Sequence, residues 1–164
     1  MRFFCFVLCC LLLTGCAGVP AASGVSTTES STGLETISFQ TVTLFLPKEN
    51  ADGFLKTSVE VPQITEAVLI EQLIAAGVLS EGTKINTLVY DADTRFLKAD
   101  FNEPFRLLLQ TMGTSGEYMI MGSVVNTFLT AFDAEAISIT VDGNVLETGH
   151  GVYDQPLSFY QDDM

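Results

Sequence analysis

Residues 114–143 (TSGEYMIMGSVVNTFLTAFDAEAISITVDG) predict one helix followed directly by one strand, and this pair constrains the fold more than any other stretch. Thr114 and Glu117 stand three residues apart, which is the spacing of a capping box, so we expect the helix to begin near Ser115. An apolar stripe follows at helical spacing and is expected to face a sheet. It consists of Met121, Val124, Val125, Phe128 and Leu129, with Tyr118 one turn earlier.

The helical pattern breaks at Asp133 and gives way to a strand pattern. Apolar and polar residues alternate over residues 137–142, which is typical of a half-buried strand. The tripeptide Asp142-Gly143-Asn144 predicts the turn that ends this strand.

Two features of the predicted helix leave alternatives open. Residues 118–121 are apolar nearly all round, so this helix start is either buried on both sides or exposed as an apolar strip used for assembly. Asn126 lies in mid-helix, where Asn is a poor helix former. Its amide either bonds a neighbouring loop or strand end, or contacts a partner. A structural role predicts that Asn126→Ala lowers stability, whereas a partner role predicts normal stability with lost association.

The remaining segments alternate between strand and helix patterns. Residues 41–47 predict a first strand, 55–61 a short extra strand, 64–76 a helix with Gly77 as its C′ residue, 84–90 and 95–101 a β-hairpin with Phe96 and Leu97 facing the core, and 105–112 a helical turn or two. The resulting β-α-β-β-α-β order predicts an α+β fold, a single small domain in which two helices cover one face of a β-sheet.

Several short motifs recur in a fixed order and together carry a family resemblance. They are the strand at residues 42–47, Glu81-Gly82-Thr83, Asp100-Phe101, Val125-Asn126-Thr127, Val141-Asp142-Gly143, Gly149-His150 and Pro156-Leu157. In this order the motifs resemble the GerMN domain family of sporulation and spore germination, over roughly residues 40–158. The resemblance implies a ring-building-like architecture and a role in sporulation, in germination or more generally in the cell envelope.

The chain departs from the family pattern after Gly149-His150. The pattern usually continues to an Asp and a Ser, whose places are held here by Val152 and Asp154. The matching residues around this departure are therefore expected to shape a C-terminal closing loop.

The first residues resemble the leader of a bacterial lipoprotein. Arg2 precedes an almost wholly apolar run over residues 3–13, which is too short for an ordinary membrane span. Residues 13–16 (LTGC) then match the lipobox, whose small residues fit the signal peptidase and whose cysteine thiol receives a lipid. We therefore expect residues 1–15 to be a lipoprotein signal peptide and Cys16 to be lipidated. An uncleaved or ordinary secretory signal is the alternative.

Cleavage at this point would divide the rest of the chain into two parts. Residues 16–40 are rich in Ser, Thr, Gly and Ala and predict a flexible tether, and residues 41–160 form the GerMN-like domain. Buried acyl chains such as palmitate contribute about 0.8 kcal/mol per CH₂, so lipid on Cys16 would hold the domain on the extracytoplasmic side of the cell membrane.

Charge and cysteine content exclude several classes of partner and site. The chain carries 20 Asp and Glu against seven Lys and Arg, for a net charge of −13. Such a surface repels nucleic acid and anionic lipid headgroups, so neither is expected as a direct partner. Cys5, Cys9 and Cys10 lie in the predicted signal peptide and Cys16 would be acylated, so cleavage would leave no thiol for a disulfide or a metal site.

The sequence offers little for catalysis. His150 is the only histidine, and as a general base it would need a nucleophile and an orienting acid, for which Ser158 and Asp154 are the nearby candidates. Asp91 and Asp93 lack the further ligands and the distal Glu of a calcium loop. We therefore predict no catalytic residue, no metal, no cofactor and no enzymatic activity.

These observations lead to one functional hypothesis and one rival. The chain is expected to be a non-catalytic interaction or assembly module that binds envelope proteins, with self-association into a homo-oligomer left open. The rival is a module that binds cell wall or a small ligand, which the absence of Trp weakens for sugar stacking. The residues expected to serve interaction or structure are Asn126, Thr127, Asp142, Gly143 and His150.

Overall fold

Two antiparallel strands open the part of the chain that the computed structural model describes, residues 38–161. The predicted signal peptide and most of the predicted tether lie outside these residues. The strands are β1 (Gln40–Pro47) and β2 (Phe54–Val61), and they form a two-stranded sheet of their own. Both strands were expected from alternating residues, and both are confirmed.

Eight further elements complete the domain. In chain order they are α1 (Glu66–Ala75), β3 (Ile85–Asp91), β4 (Phe96–Phe101), α2 (Glu103–Gln110), α3 (Thr114–Phe132), β5 (Ala136–Val141), β6 (Asn144–Glu147) and β7 (Val152–Tyr153). The last five strands form one sheet in the order β3-β4-β5-β6-β7. Only the β4–β5 pair of this sheet is parallel, because α2 and α3 carry the chain back to the starting edge between them.

Alternation along the central strands decides which face of this sheet is buried. Leu97, Ala99 and Phe101 of β4 are at most 2% exposed, and they share a face with the buried odd-numbered residues of β5. Phe101 stacks on Phe105 of α2 with ring centroids 4.2 Å apart. The expectation that Phe96 faces the core is wrong, since it is only half-buried on the opposite face. Because Phe96 and Leu97 are adjacent and both apolar, the sequence leaves open which of the two faces the core. In the structure, Leu97 packs in the core.

The long helix α3 is buried on almost all sides. Twelve of its residues are buried, including Met119, Met121, Val125 and Phe128. It contacts β1 on one side and packs within the main core, alongside β4 and β5, on the other. Burial on both sides is therefore the correct alternative for the helix start, and an exposed assembly strip is wrong.

The start of α3 differs from the expected capping box. The N-cap residue is Gly113, which offers no side chain, and Thr114 is already the first helical residue. Glu117 is 2% exposed and turns into the interior instead of back to the helix start. Helix α1 follows the expected chemistry, with Thr65 accepting a hydrogen bond from the Val68 N–H at its start and Gly77 in the left-handed conformation (φ 75°) after its end.

The α+β class and the single small domain are confirmed. The structure adds a separate two-stranded sheet, and α2 is a distinct third helix. β1 and α2 are each eight residues long. Short segments of this length form a regular strand or helix when packing of their apolar face against the core stabilises them.

Gly122 lets α3 approach the β1–β2 hairpin closely. A side chain at this position would overlap the Phe54 ring and approach Tyr160 Cβ to 3.1 Å. We expect Gly122→Val to lower the free energy of unfolding by about 1–3 kcal/mol through overpacking, as measured by denaturant titration. Thr130→Val on an exposed position of the same helix is the matched control and should have little effect. Equal stability of the two variants would contradict close packing at Gly122.

Candidate interaction site

One face of the five-stranded sheet is left open by the helices. The residues on it point away from the core in three rows set by strand register. We call this surface the open sheet face, and none of its residues is buried. Its members are Thr87, Val89 and Asp91 of β3, Phe96, Lys98 and Asp100 of β4, Ala136, Ser138 and Thr140 of β5, and Val145 of β6.

The open sheet face mixes apolar and charged side chains. Val89 is 51% exposed and Val145 47% exposed, and Lys98 lies directly opposite Val89. Two shallow depressions of about 300 and 500 Å³ meet at this pair. Exposed β-branched residues flanked by charges suit contact with another protein better than enclosure of a small molecule.

Asp100 anchors a hydrogen-bonded corner at one edge of this face. Its Oδ1 accepts from the Thr140 hydroxyl at 2.6 Å and from the Gly143 N–H at 2.8 Å, and its Oδ2 accepts from Asn86 Nδ2 at 3.0 Å. Partial burial works against ionisation, but these three donors outweigh it and lower the pKa of Asp100 below its usual value. The corner therefore carries a fixed negative charge.

The predicted residues Asp142 and Gly143 form the turn beside this corner. Both have positive φ, 47° and 75°, as a type I′ hairpin turn requires, and Gly tolerates this conformation best. Asp142 Oδ1 accepts from Asn86 Nδ2 at 3.0 Å. The turn and the corner thus form one network that joins β3, β4 and the β5–β6 hairpin.

His150 docks against the start of α3. Its Nε2 lies 3.1 Å from the Met112 carbonyl oxygen, which requires a proton on Nε2, and its Nδ1 lies 3.3 Å from Thr114 Oγ1. Within residues 38–161, no hydrogen bond joins it to Ser158 or Asp154, the nearby candidates for a catalytic arrangement. The imidazole therefore ties the loop between β6 and β7 to the α2–α3 connection.

A buried carboxylate lies beneath this loop. Glu117 Oε1 accepts from the Thr148 hydroxyl at 2.7 Å and from the Tyr153 hydroxyl at 2.6 Å. The Thr148 hydroxyl in turn accepts from the N–H groups of His150 and Gly151, each at 3.1 Å. Glu117 therefore organises the loop from below. Its Oε2 has no hydrogen-bond partner in the part of the chain described.

Sequence reasoning assigned Glu117 to a helix cap and missed this role. A signal was present, because Glu117 is a charged residue at the start of a helix that is apolar nearly all round. Such a residue needs buried hydrogen-bond donors. Its donors lie 31 and 36 residues further along the chain, so local spacing could not identify them.

Asn126 and Thr127 satisfy backbone groups outside their own helix. The Asn126 side chain accepts from the Tyr160 N–H at 2.8 Å and donates to the Tyr160 carbonyl at 3.0 Å. The Thr127 hydroxyl accepts from the Phe45 N–H of β1 at 3.1 Å. Both side chains are fully buried, and this geometry favours the structural interpretation of Asn126.

The predicted site residues therefore occupy three separate places. Asp142 and Gly143 adjoin the open sheet face, His150 lies at the start of α3, and Asn126 and Thr127 lie inside the domain. Cys16 lies outside residues 38–161. The open sheet face itself was not predicted, because its exposure depends on which side of the sheet the helices cover.

No group of three or more His, Cys, Asp or Glu in residues 38–161 is arranged to hold a metal ion. Within the same range, no helix is both long and apolar enough to span a membrane.

Comparison with known families gives one match. The Germane family model, described as sporulation and spore germination, matches residues 43–147. No curated protein sequence matches the chain.

Solved structures similar to the chain include three from two bacteria. The tandem GerMN domains of the sporulation protein GerM from Bacillus subtilis match with a TM-score of 0.54 and 17% identity, over 74% of this chain and 46% of that one. The chain thus spans about half the length of that structure, and at this identity the match shows the fold alone. The first GerMN domain of the same protein (TM-score 0.49, 16% identity, 74% and 97% covered) and a candidate lipoprotein from Clostridium perfringens (0.48, 16%, 75% and 89%) are more distant.

Removal of the Asn126 amide should destabilise the domain. Asn126→Ala deletes both hydrogen bonds to Tyr160 and leaves its backbone groups unpaired, so we expect the free energy of unfolding to fall by about 2–3 kcal/mol. Asn144→Ala, which removes an exposed amide bonded to the Asp142 carbonyl, is the control and should cost at most about 0.5 kcal/mol. Unchanged stability of Asn126→Ala, together with lost association, would support the partner role instead.

Alkaline pH should destabilise the domain through Tyr160. Burial, followed by the nearby Tyr118 and Glu117, raises the pKa of Tyr160 to about 12 from 10.0. Because the unfolded state loses this proton first, the free energy of unfolding is unaffected by this group below pH 10 and falls between about pH 10 and 12, where the buried phenol resists ionisation. In denaturant titrations across this range, the free energy of unfolding of Tyr160→Phe should decline less with pH than that of the unsubstituted chain.

Stability at neutral pH separates this effect from simple packing. No hydrogen bond to the Tyr160 hydroxyl is formed among residues 38–161, so Tyr160→Phe should match the unsubstituted chain at pH 7. An identical alkaline decline in both proteins would refute the assignment to Tyr160.

Proposed function

Because the chain belongs to the Germane family of sporulation and spore germination domains, we propose that it is a non-catalytic protein-interaction module of the cell envelope. The open sheet face is the observation that carries this proposal. It is broad and shallow, and exposed Val89 and Val145 alternate on it with charged groups. A partner protein could cover the apolar residues, while Lys98 and the carboxylates of Asp91 and Asp100 set its orientation.

The charges on this face are suited to orienting a partner. Hydrogen bonds from Thr94 and Asp93 lower the pKa of Asp91, and the donors around Asp100 do the same for that residue. Both therefore stay ionised well below neutral pH, on either side of Lys98 along the sheet. An envelope protein that binds here needs an apolar centre with one acidic and two basic groups around it.

Anchoring by lipid on Cys16 is part of the same proposal. The apolar leader and the LTGC motif support a lipoprotein held on the extracytoplasmic side of the membrane, and residues 17–40 would give the domain reach. The net charge of −13 favours protein partners over nucleic acid.

The contacts of His150 support a non-enzymatic role. Both ring nitrogens are used to hold the loop on α3, through Met112 and Thr114. Glu117 is 2% exposed and is held by two hydroxyl donors. These contacts occupy both ring nitrogens of His150 and the Oε1 oxygen of Glu117.

A surface near the C-terminus favours wall or small-ligand binding as the second candidate. Tyr118, Phe159 and Tyr160 line a depression of about 510 Å³, and Phe159 is 39% exposed. The rings of Tyr118 and Tyr160 lie 4.8 Å apart, centroid to centroid. Aromatic side chains on a surface of this kind can stack against sugar rings.

Site-specific photo-crosslinking tests the proposal on the full chain in native membranes. A photoreactive residue at Val89 should give discrete adducts with envelope proteins, because it lies where the two depressions of the open sheet face meet. The matched control is the same residue at Leu107 of α2, which is 49% exposed on another surface and should give none of these adducts. Cys16→Ala should abolish the Val89 adducts if lipid anchoring brings the partner within reach.

Two results would contradict the interaction module. Equal adducts from Val89 and Leu107 would show nonspecific contact. No adduct from Val89, together with retention of the chain on isolated wall material that Phe159→Ala abolishes, would favour the binding module instead.

A further inference from the structure

The outer edge of β2 carries backbone groups at Lys56, Ser58 and Glu60 that no hydrogen bond among residues 38–161 reaches. β2 pairs with β1 along one edge only, and α3 lies along the far side of β1. Its pattern of exposure shows little cover, with Leu55, Lys56, Thr57, Ser58 and Glu60 all exposed. Among residues 38–161, no third strand extends this sheet. Free strand edges of this kind are templates for pairing with another strand.

Two hydrogen bonds determine which β2 residues point their backbone groups outward. The Lys48 N–H donates to the Gly53 carbonyl at 2.9 Å, so the ladder begins with a hydrogen-bonded pair and alternates from there. By this alternation Phe45 and Lys56 form a non-hydrogen-bonded pair. The Phe45 N–H indeed points away from β2, to the Thr127 hydroxyl at 3.1 Å.

Along the exposed stretch of β2, the outward groups therefore belong to Lys56, Ser58 and Glu60. These residues lie opposite Phe45, Thr43 and Thr41, all in the non-hydrogen-bonded class. Within the described range, no hydrogen bond reaches their outward N–H and C=O groups.

The sequence of this edge is complementary to itself. In the segment Lys56-Thr57-Ser58-Val59-Glu60, a two-fold axis at Ser58 brings Lys56 opposite Glu60 and Thr57 opposite Val59. We propose that two copies of this chain associate through their β2 strands, antiparallel and centred on Ser58. The proposal goes beyond the interaction module, because it concerns a different strand, a different sheet and a partner of the same kind.

The centre at Ser58 agrees with the backbone phase. Residues 56, 58 and 60 all point outward, so each of the three pairs across the axis is a hydrogen-bonded pair that exchanges two backbone bonds. A centre on Thr57 or Val59 would also bring outward-pointing groups together, but it would set Ser58 opposite Lys56 or opposite Glu60. Only the centre on Ser58 sets the two opposite charges against each other. Pro62, which lacks an N–H, follows Val61 and limits the ladder at that end.

Association would convert two separate hairpins into one four-stranded sheet in the order β1-β2-β2-β1. In such a sheet the β2 edge of each copy is covered by the β2 edge of the other. Both copies thus use the same surface, as a two-fold dimer requires.

The charged side chains of β2 determine whether this edge can pair with a second copy or is kept from pairing. A lysine on an edge strand often prevents pairing, because a second copy would bring like charges or bury an ammonium group. Here Glu60 of the second copy faces Lys56 across the axis, so the two-fold symmetry forms two attractive Lys56–Glu60 pairs. The Lys56 ammonium lies 5.4 Å from the Phe45 ring centroid, which places it on the sheet face that Ser58 and Glu60 share.

Charge reversal tests the proposal on the full chain in detergent, by sedimentation over a wide concentration range. Glu60→Lys and Lys56→Glu each bring like charges together twice, so each should weaken self-association roughly tenfold or more. The double variant Lys56→Glu with Glu60→Lys exchanges the charges and should restore it. An equimolar mixture of the two single variants should form a heterodimer, because every pair across the axis is then opposite in sign.

The controls change net charge without touching β2. Glu71→Lys on α1 and Lys84→Glu before β3 alter the charge of the chain by the same amounts at exposed positions, and should leave association unchanged. Hydrogen exchange provides a second readout, since the amides of Lys56, Ser58 and Glu60 should become protected as concentration rises.

Three outcomes would overturn the pairing. A chain that stays monomeric at all concentrations has no such dimer. Association that the charge reversals leave unchanged uses another surface, and loss of association in both single variants without recovery in the mixture is not caused by these charge pairs. The Val89 adducts do not depend on this edge, so failure here leaves the interaction module untouched.

Discussion

Burial of α3 on opposite sides is the constraint on which the rest of the structure depends. One side packs with the apolar residues of the five-stranded sheet, and the other contacts β1. A helix in this position brings its polar residues into the interior, where each needs a hydrogen-bond partner. Asn126 and Thr127 therefore bond the C-terminal segment and β1, and Glu117 accepts from Thr148 in the loop before β7. The helix holds three other parts of the chain in place through polar contacts as well as apolar ones.

The same arrangement determines which surfaces remain for partners. Because all the helices that cover the five-stranded sheet lie on one side, the alternate residues of β4 and β5 are left on the open sheet face. Because α3 lies along the far side of β1, the edge of the small sheet that stays uncovered within residues 38–161 is the stretch of β2 from Lys56 to Glu60. Membership of the Germane family confirms the resemblance drawn from short motifs, and several of those motifs lie at structural junctions. Asp100 and Gly143, for example, bond each other across the β4 and β5 ends.

Periodicity predicted most of the elements, because apolar alternation and helical spacing reflect burial directly. The strands at β1, β3 and β5, the left-handed Gly77 and the turn at Asp142 and Gly143 all followed from local chemistry. Features that depend on distant residues were beyond this reasoning. The inward turn of Glu117 needs donors from Thr148 and Tyr153, and the phase of β4 at Phe96 and Leu97 depends on helices elsewhere in the chain. The candidate site was the least predictable part, because the turn at Asp142 and Gly143 was predicted but the open sheet face beside it was not.

The two proposed surfaces are compatible because they use different sheets. A partner on the open sheet face contacts β3 to β6, whereas self-association uses β2 alone, so one chain could do both at once. A single strand edge buries little area and should bind weakly in solution. Anchoring by lipid would confine both copies to a membrane surface and raise their effective concentration, which strengthens a weak contact without any new interaction. Edge pairing of this strength would then respond to how many chains the membrane holds, and the partner on the open sheet face would be presented in pairs.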